Sequence, residues 1–122
     1  MAINWVKIAA LPPAGSELIR RDSIAKMTIK GKVLFLVNRG GQYFAGENKC
    51  PHAGAPLHTG HINETGDIVC PYHRYCFDIS TGKNTSGEGY FLKTYPIAIR
   101  EDGIYIGFEE RSWWQRLWGG GG

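Results

Sequence analysis

The chain has 122 residues, 43% of them hydrophobic and 20% charged, with a formal net charge of +3. That length suits one domain with room for a modest core, and the composition excludes a disordered chain. The charge is too mild for the concentrated basic face that nucleic-acid binding needs.

Three cysteines, Cys50, Cys70 and Cys76, make an odd count that argues against a disulfide framework. They fit a reducing compartment in which thiols serve as ligands or stay free. The opening "MAINWVKIAALPPAGSELIRRD" shows no basic segment followed by an apolar run and a cleavage site, so no secretory signal is read there. The longest apolar run is too short to span a bilayer. The expected location is the cytoplasm.

In chain order, "NWVKIA" (4–9) alternates weakly, and "SIAKMTIKGKVLFLVNRGGQYFAGE" (23–47) reads as three strands. Lys30-Gly31 marks the first reversal and "RGGQ" (39–42) the second, where glycines supply the positive φ of tight hairpins. Val33, Phe35 and Val37 share one face of the middle strand, and Leu34 and Leu36 the other. Two apolar faces place that strand between two layers.

From Cys50 to about Gly89 the texture changes to a loop-rich insert. Its short strands are "DIVC" (67–70) and "YCFDI" (75–79), with a turn at "STGK" (80–83). Alternation returns in "TYPIAIREDGIYIGFEE" (94–110). There Ile97 and Ile99 face one way, "EDG" turns, and Ile104, Ile106 and Phe108 share a face on the return. No helix-period segment precedes residue 110. The expected fold is all-β, an antiparallel sandwich or barrel.

The tail "RSWWQRLWGGGG" (111–122) places Trp113, Trp114, Leu117 and Trp118 at helical spacing. It reads first as a strap packing indoles on the sandwich, with a docking surface for a protein partner second. The segment is short for a membrane-interface anchor. The final glycines read as flexible.

The chemistry lies in the insert. "CPHAGAPLH" (50–58) and "CPYHRYCFD" (70–78) give the pattern Cys50-x-His52, 17 intervening residues, then Cys70-x-x-His73. Thiolate with imidazole suits zinc or iron–sulfur chemistry, and the short spacing within each pair lets one turn present two donors. A structural zinc would take all four on one tetrahedral centre. A two-iron, two-sulfide cluster would take two cysteines on one iron and two histidines on the other. Zinc Cys₂His₂ sites usually pair Cys with Cys and His with His along the chain. Here each turn carries one of each, an order that favours the cluster and leaves zinc open.

The surroundings extend the pattern. Cys50, Pro51, His52, Gly54, Leu57 and Gly60, then Cys70, Pro71, His73, Phe77, Asp78, Thr81 and Gly82, closely resemble the Rieske iron–sulfur family. The resemblance covers about residues 3–109. It implies a [2Fe-2S] cluster held by Cys50, His52, Cys70 and His73. It also implies a Rieske-like antiparallel β-sandwich over 1–110, with a cluster-binding subdomain at about 46–89.

Formal charge explains what the histidines do. Two ferric ions, two sulfides and two thiolates sum to zero with neutral imidazoles, and one electron makes a monoanion. An all-cysteine cluster would pass from dianion to trianion, which is harder. Histidine ligation therefore raises the potential, into a span of roughly −150 to +300 mV.

High-potential members of the resembled family carry a disulfide between the turns, where this chain has Ala55 and Tyr72. They also carry hydroxyl donors where it has Tyr75 and Phe77. Fewer donors to the cluster stabilise the reduced form less, so a low-potential, ferredoxin-type cluster is expected. If His52 and His73 each turn a free ring nitrogen to solvent, the potential should fall as pH rises through the oxidised-state pKa.

Other residues read more plainly. Cys76 is expected to be a small buried strand residue. His58 and His61 are expected to be surface or turn residues. Asn63-Glu-Thr65 and Asn84-Thr-Ser86 match a glycosylation pattern that means nothing without a secretory route. "GEGY" (87–90) is a loop near the second turn, with no phosphate site read into it.

The expected function is a one-electron carrier, a Rieske-type ferredoxin between a reductase and a terminal acceptor such as a ring-hydroxylating oxygenase. The chain is expected to be an electron-transfer protein and not an enzyme, since a complete oxygenase would need a mononuclear iron site and a further domain. Two alternatives stand beside this reading. One is a Rieske-like small subunit of a nitrite-reductase-type enzyme. The other is a structural zinc module for binding.

Overall fold

Leu34, Phe35, Leu36 and Val37 are four consecutive buried residues in one strand, and that strand organises the molecule. The computed structural model describes residues 2–110; the tryptophan-containing tail lies outside the described residues. The strands are β1 (Ala2–Ala9), β2 (Ile24–Ile29), β3 (Lys32–Arg39), β4 (Gln42–Glu47), β5 (His61–Ile62), β6 (Ile68–Val69), β7 (Cys76–Phe77), β8 (Thr94–Tyr95), β9 (Ile97–Arg100) and β10 (Gly103–Glu110). They form three antiparallel sheets in the orders β1-β10-β9, β2-β3-β4-β8 and β5-β6-β7.

β3 is the wall between two cores. Leu34 and Leu36 pack with Ala45, Ile106 and Phe108 on the side of the β1-β10-β9 sheet. Phe35 and Val37 pack on the other side with Cys50, Leu57, Ile68, Cys70 and Phe77. This is what two apolar faces on one strand require. The expected alternation fails only at the start of the strand, where Val33 is 42% exposed. On β10 the expected inward face holds, with Ile104, Ile106 and Phe108 buried, whereas Ile99 on β9 stands 58% exposed.

The hairpin turns form where the glycines predicted them. Lys30 and Gly31 have φ of 51° and 78°, and Gly40 and Gly41 have 62° and 90°. Positive φ at both central residues matches the twist of two-residue hairpins. The segment before β2 is tied down by Asn38, which is fully buried. Its amide donates to Glu17 Oε2 and to the Ile19 carbonyl, both at 2.8 Å, and its Oδ1 accepts from the Gly41 N–H at 3.0 Å. Satisfying this side chain completely makes its burial tolerable.

The turn after β7 is built on Asp78. Its Oδ1 accepts from the Ser80 N–H at 2.8 Å, the Ser80 hydroxyl at 2.6 Å and the Thr81 N–H at 3.0 Å. The Ser80 hydroxyl first, joined by the Thr81 and Ser80 N–H groups, holds the Asp78 carboxyl below its ordinary value, against an upward push from burial that exceeds either N–H alone. Gly82 follows at φ +79°, where a Cβ would overlap the Leu92 carbonyl. No helix among the described residues is long and apolar enough to cross a membrane.

Replacing Phe35 with Ala should lower the unfolding free energy by about 3–5 kcal/mol, while Val33→Ala should change it by less than about 0.5 kcal/mol. Urea unfolding compares them, and equal losses would contradict the two-core wall. Asp78 contributes stability above the unfolded carboxylate pKa of about 3.9. Because its folded pKa is depressed, that contribution is lost as pH falls through the lower folded value. Asp78→Asn should therefore be less stable than the parent at neutral pH and converge with it in acid. A gap that stays constant down to strongly acidic pH would contradict the role given to this carboxylate.

Candidate metal centre

Both Cys-His turns are closed in the same way. The Cys50 N–H donates to the Ala55 carbonyl and the Cys70 N–H to the Tyr75 carbonyl, each at 2.8 Å and each five residues ahead. In the first turn the Gly54 N–H also reaches back to the Cys50 carbonyl at 2.8 Å, with Gly54 at φ +72°. A 3-10 turn over Leu57–Thr59 follows. At Gly60 a Cβ would overlap the Val69 carbonyl. Only glycine lets the first turn press this closely against β6.

The second turn uses no glycine. His73 and Arg74 take φ of 60° and 56°, a left-handed pair that costs L residues roughly 1–2 kcal/mol each. Such strain persists only where the surroundings impose it.

The turns bring the four expected donors together in two kinds. Cys50 and Cys70 are free thiols, 1% and 0% exposed, with their side chains within hydrogen-bond reach of each other. Burial first, then the bond from Cys50, pushes the Cys70 thiol up, against a lowering by the Tyr72 backbone. A thiol raised in this way stays protonated unless a cation joins it. The His52 and His73 rings lie 5.4 Å apart, edge to face. His73 is exposed and His52 half-buried, so the two imidazoles are not equally open to solvent as expected.

One atom supplies a test of fit. His52 Nδ1 is buried and has no hydrogen-bond partner. An unsatisfied buried polar atom costs about 1–3 kcal/mol, and a metal ion is a partner that an imidazole nitrogen accepts. Paired buried thiols and an orphaned imidazole nitrogen are the donor types that an iron–sulfur cluster takes. Among the described residues no three His, Cys, Asp or Glu side chains are grouped to hold one metal ion.

Around the histidines lies an aromatic cluster. Tyr75 lies 4.3 Å from His52, and Tyr90 5.3 Å from His52 and 5.9 Å from Tyr75, ring centre to ring centre. Tyr72, Tyr90 and Phe91 are exposed, Phe91 by 71%. Phe77 is fully buried and Ala55 nearly so; neither carries a hydroxyl or a thiol.

Cys76, expected to be buried, is half-exposed on β7, beside Asn63 and the Arg74 carbonyl. His61 is exposed, as expected. His58 does more than a turn residue: its N–H donates to Asn48 Oδ1, and the Asn48 amide donates to His58 Nδ1, both at 2.8 Å. This pair of hydrogen bonds pins the 3-10 turn to the end of β4. Sequence reasoning misses Asn48 and Tyr90 because nothing local marks them; both act across the fold.

A family model described as the Rieske [2Fe-2S] domain matches residues 9–96. The ferredoxin component of the naphthalene 1,2-dioxygenase system of Pseudomonas putida is 33% identical over 107 residues, 87% of this chain and 97% of that one. The ferredoxin of carbazole 1,9a-dioxygenase from Nocardioides aromaticivorans superposes with a TM-score of 0.72 at 25% identity, covering 84% of this chain and 95% of its own.

A protein from Mycobacterium tuberculosis, described as an NADH-dependent nitrite reductase small subunit, reaches a TM-score of 0.76. Its identity is 16%, and the match covers 91% of this chain and all of that one. That likeness is one of fold alone. A family model matched over most of the length, and laid across both Cys-His turns, settles the affiliation: this chain belongs to the Rieske [2Fe-2S] family.

Proposed function

We propose that Cys50 and Cys70 hold one iron of the family's [2Fe-2S] cluster and His52 and His73 the other. The chain would then pass single electrons from a reductase to the terminal oxygenase of a ring-hydroxylating system. The observation that carries the ligand assignment is the sorting of the four donors: two neighbouring buried thiols, and two imidazoles 5.4 Å apart. A tetrahedral zinc needs four donors on one centre, whereas this arrangement offers two and two. When bound, the cluster supplies a site that takes up and gives back one electron.

The chain's own residues do the rest. Phe35, Leu57, Ile68 and Phe77 wall the thiols from water, which protects the ligands and lowers the local dielectric. Exposed His73, with Tyr72 beside it, offers a partner the shortest approach. Aromatic residues are enriched where proteins dock. The choice of partner rests on the relatives: a ferredoxin component of a dioxygenase system at 33% identity, and a ferredoxin seen in complex with the oxygenase of carbazole 1,9a-dioxygenase at 25%. The nitrite-reductase reading has only the shared fold behind it.

The low potential also belongs to this reading. Phe77 cannot donate to the cluster, and Tyr75 meets the site through its ring. Ala55 and Tyr72 cannot form a disulfide. An anaerobic redox titration should place the midpoint in the lower half of the span of roughly −150 to +300 mV; a value well above its centre would contradict the donor argument.

Cys50→Ser and Cys70→Ser should each yield nearly colourless protein with little iron or acid-labile sulfide. Cys76→Ser should keep the parent's content of both. Metal and sulfide analysis with visible absorption reads all three, and full cluster content in Cys70→Ser would sink the assignment.

A further inference from the structure

The loop after Asp78 is clasped to the second turn through Cys76. The Cys76 N–H donates to Ser86 Oγ at 2.9 Å, and the Cys76 carbonyl accepts from Asn84 Nδ2 at 3.0 Å and the Thr85 N–H at 2.8 Å. Thr85 Oγ1 adds a bond to Asp67 Oδ2 at 2.9 Å. Asn84 Oδ1 accepts from the N–H groups of Gly89, at 2.9 Å, and Glu88. Gly87 and Gly89, at φ +93° and +84°, let the chain turn on either side of Glu88.

The clasp fixes a carboxylate. Glu88 Oε1 accepts from the Ser86 hydroxyl and from Asn84 Nδ2, the latter at 3.0 Å. The ion pairs among the described residues are Lys7–Asp102, Arg21–Glu17 and Arg39–Asp22, so no cation among them neutralises Glu88 by direct pairing. Two residues on, the Tyr90 ring lies against His52 and Tyr75.

The Glu88 carboxyl is held low, by the Ser86 hydroxyl first and then by Asn84, so it is ionised at neutral pH.

We propose that Glu88 sets the reduction potential of the site: its pinned negative charge, two residues before the Tyr90 ring that lies against His52 and Tyr75, disfavours the incoming electron and lowers the midpoint. Asn84 and Ser86 act as positioning residues for that charge. The inference rests on the ligand assignment made above. Reduction adds one negative charge to the cluster, so a nearby fixed anion opposes it by simple Coulomb repulsion. A carboxylate that only capped the loop would not act through its charge. Salt separates the two cases, because exposed charges are screened over a Debye length of about 8 Å at 0.15 M and about 3 Å at 1 M.

The test is an anaerobic redox titration, followed by visible absorption, of the cluster-loaded parent and of Glu88→Gln, Glu88→Asp and Glu101→Gln, from low to high salt. Gln keeps the acceptor oxygen and removes the charge. Glu101 lies in the exposed β9–β10 turn and controls for net charge.

Glu88→Gln should shift the midpoint upward by more than Glu101→Gln does. Glu88→Asp should stay near the parent, and the Glu88→Gln gap should narrow as salt rises. An unmoved or lowered midpoint in Glu88→Gln overturns the inference. So does an upward shift that is shared by Glu88→Asp and persists at high salt, since that pattern reports a loosened loop. A parent that carries no cluster would contradict the ligand assignment and this inference together. A loaded parent with an unmoved Glu88→Gln overturns this inference alone.

Discussion

Two thiols buried side by side, on turns with no covalent link between them, are the constraint around which the rest of the molecule is arranged. Cys50 and Cys70 are free and almost wholly enclosed. Burial disfavours the charged form of the Cys70 thiol, and its neighbour Cys50 raises it further. The proposed iron ligation resolves the conflict by joining both sulfurs to one cation. The surrounding structure holds the two turns at the required approach. Each turn closes on its own cysteine amide with the same five-residue reach, Gly60 lets the first press against β6, and β3 supplies Phe35 and Val37 as a common floor.

Much of this is legible in the amino-acid sequence. The mixed Cys-His order of the turns points to a two-iron centre, and the family affiliation bears out the cofactor. The two apolar faces of β3 announce a strand between layers, and Leu34 and Phe35 lie in different cores. What stays hidden depends on contacts across the fold. His73 and Arg74 adopt positive φ without being glycine, so composition offers no cue. The different exposure of His52 and His73 follows from Tyr90, which packs on His52, and from Tyr75, which lies 4.3 Å from His52 but 6.3 Å from His73. Tyr90 comes from a loop 38 residues after His52 in the chain. His58 reads as an ordinary turn residue because its partner Asn48 lies ten positions away.

The same scaffold serves different assemblies, and its function is written in the site. A likeness of 0.76 in TM-score at 16% identity joins this chain to a protein described as a nitrite reductase small subunit, yet it carries no information about chemistry. The chemistry follows from donors and charge. Two thiolates and two neutral imidazoles leave an oxidised cluster uncharged, which makes it easier to reduce than an all-cysteine one. On the reading proposed above, a scarcity of hydroxyl donors and the Glu88 carboxylate would pull the other way. In that reading the potential is the balance of those opposing effects.

The central claim is that one iron is bound by Cys50 and Cys70 and the other by His52 and His73. Mössbauer spectroscopy of oxidised protein grown on isotopically enriched iron tests it most directly, since sulfur and nitrogen donors give an iron nucleus different electron densities. The account predicts two quadrupole doublets of equal area with distinct isomer shifts. A single doublet, from two equivalent irons, would contradict it.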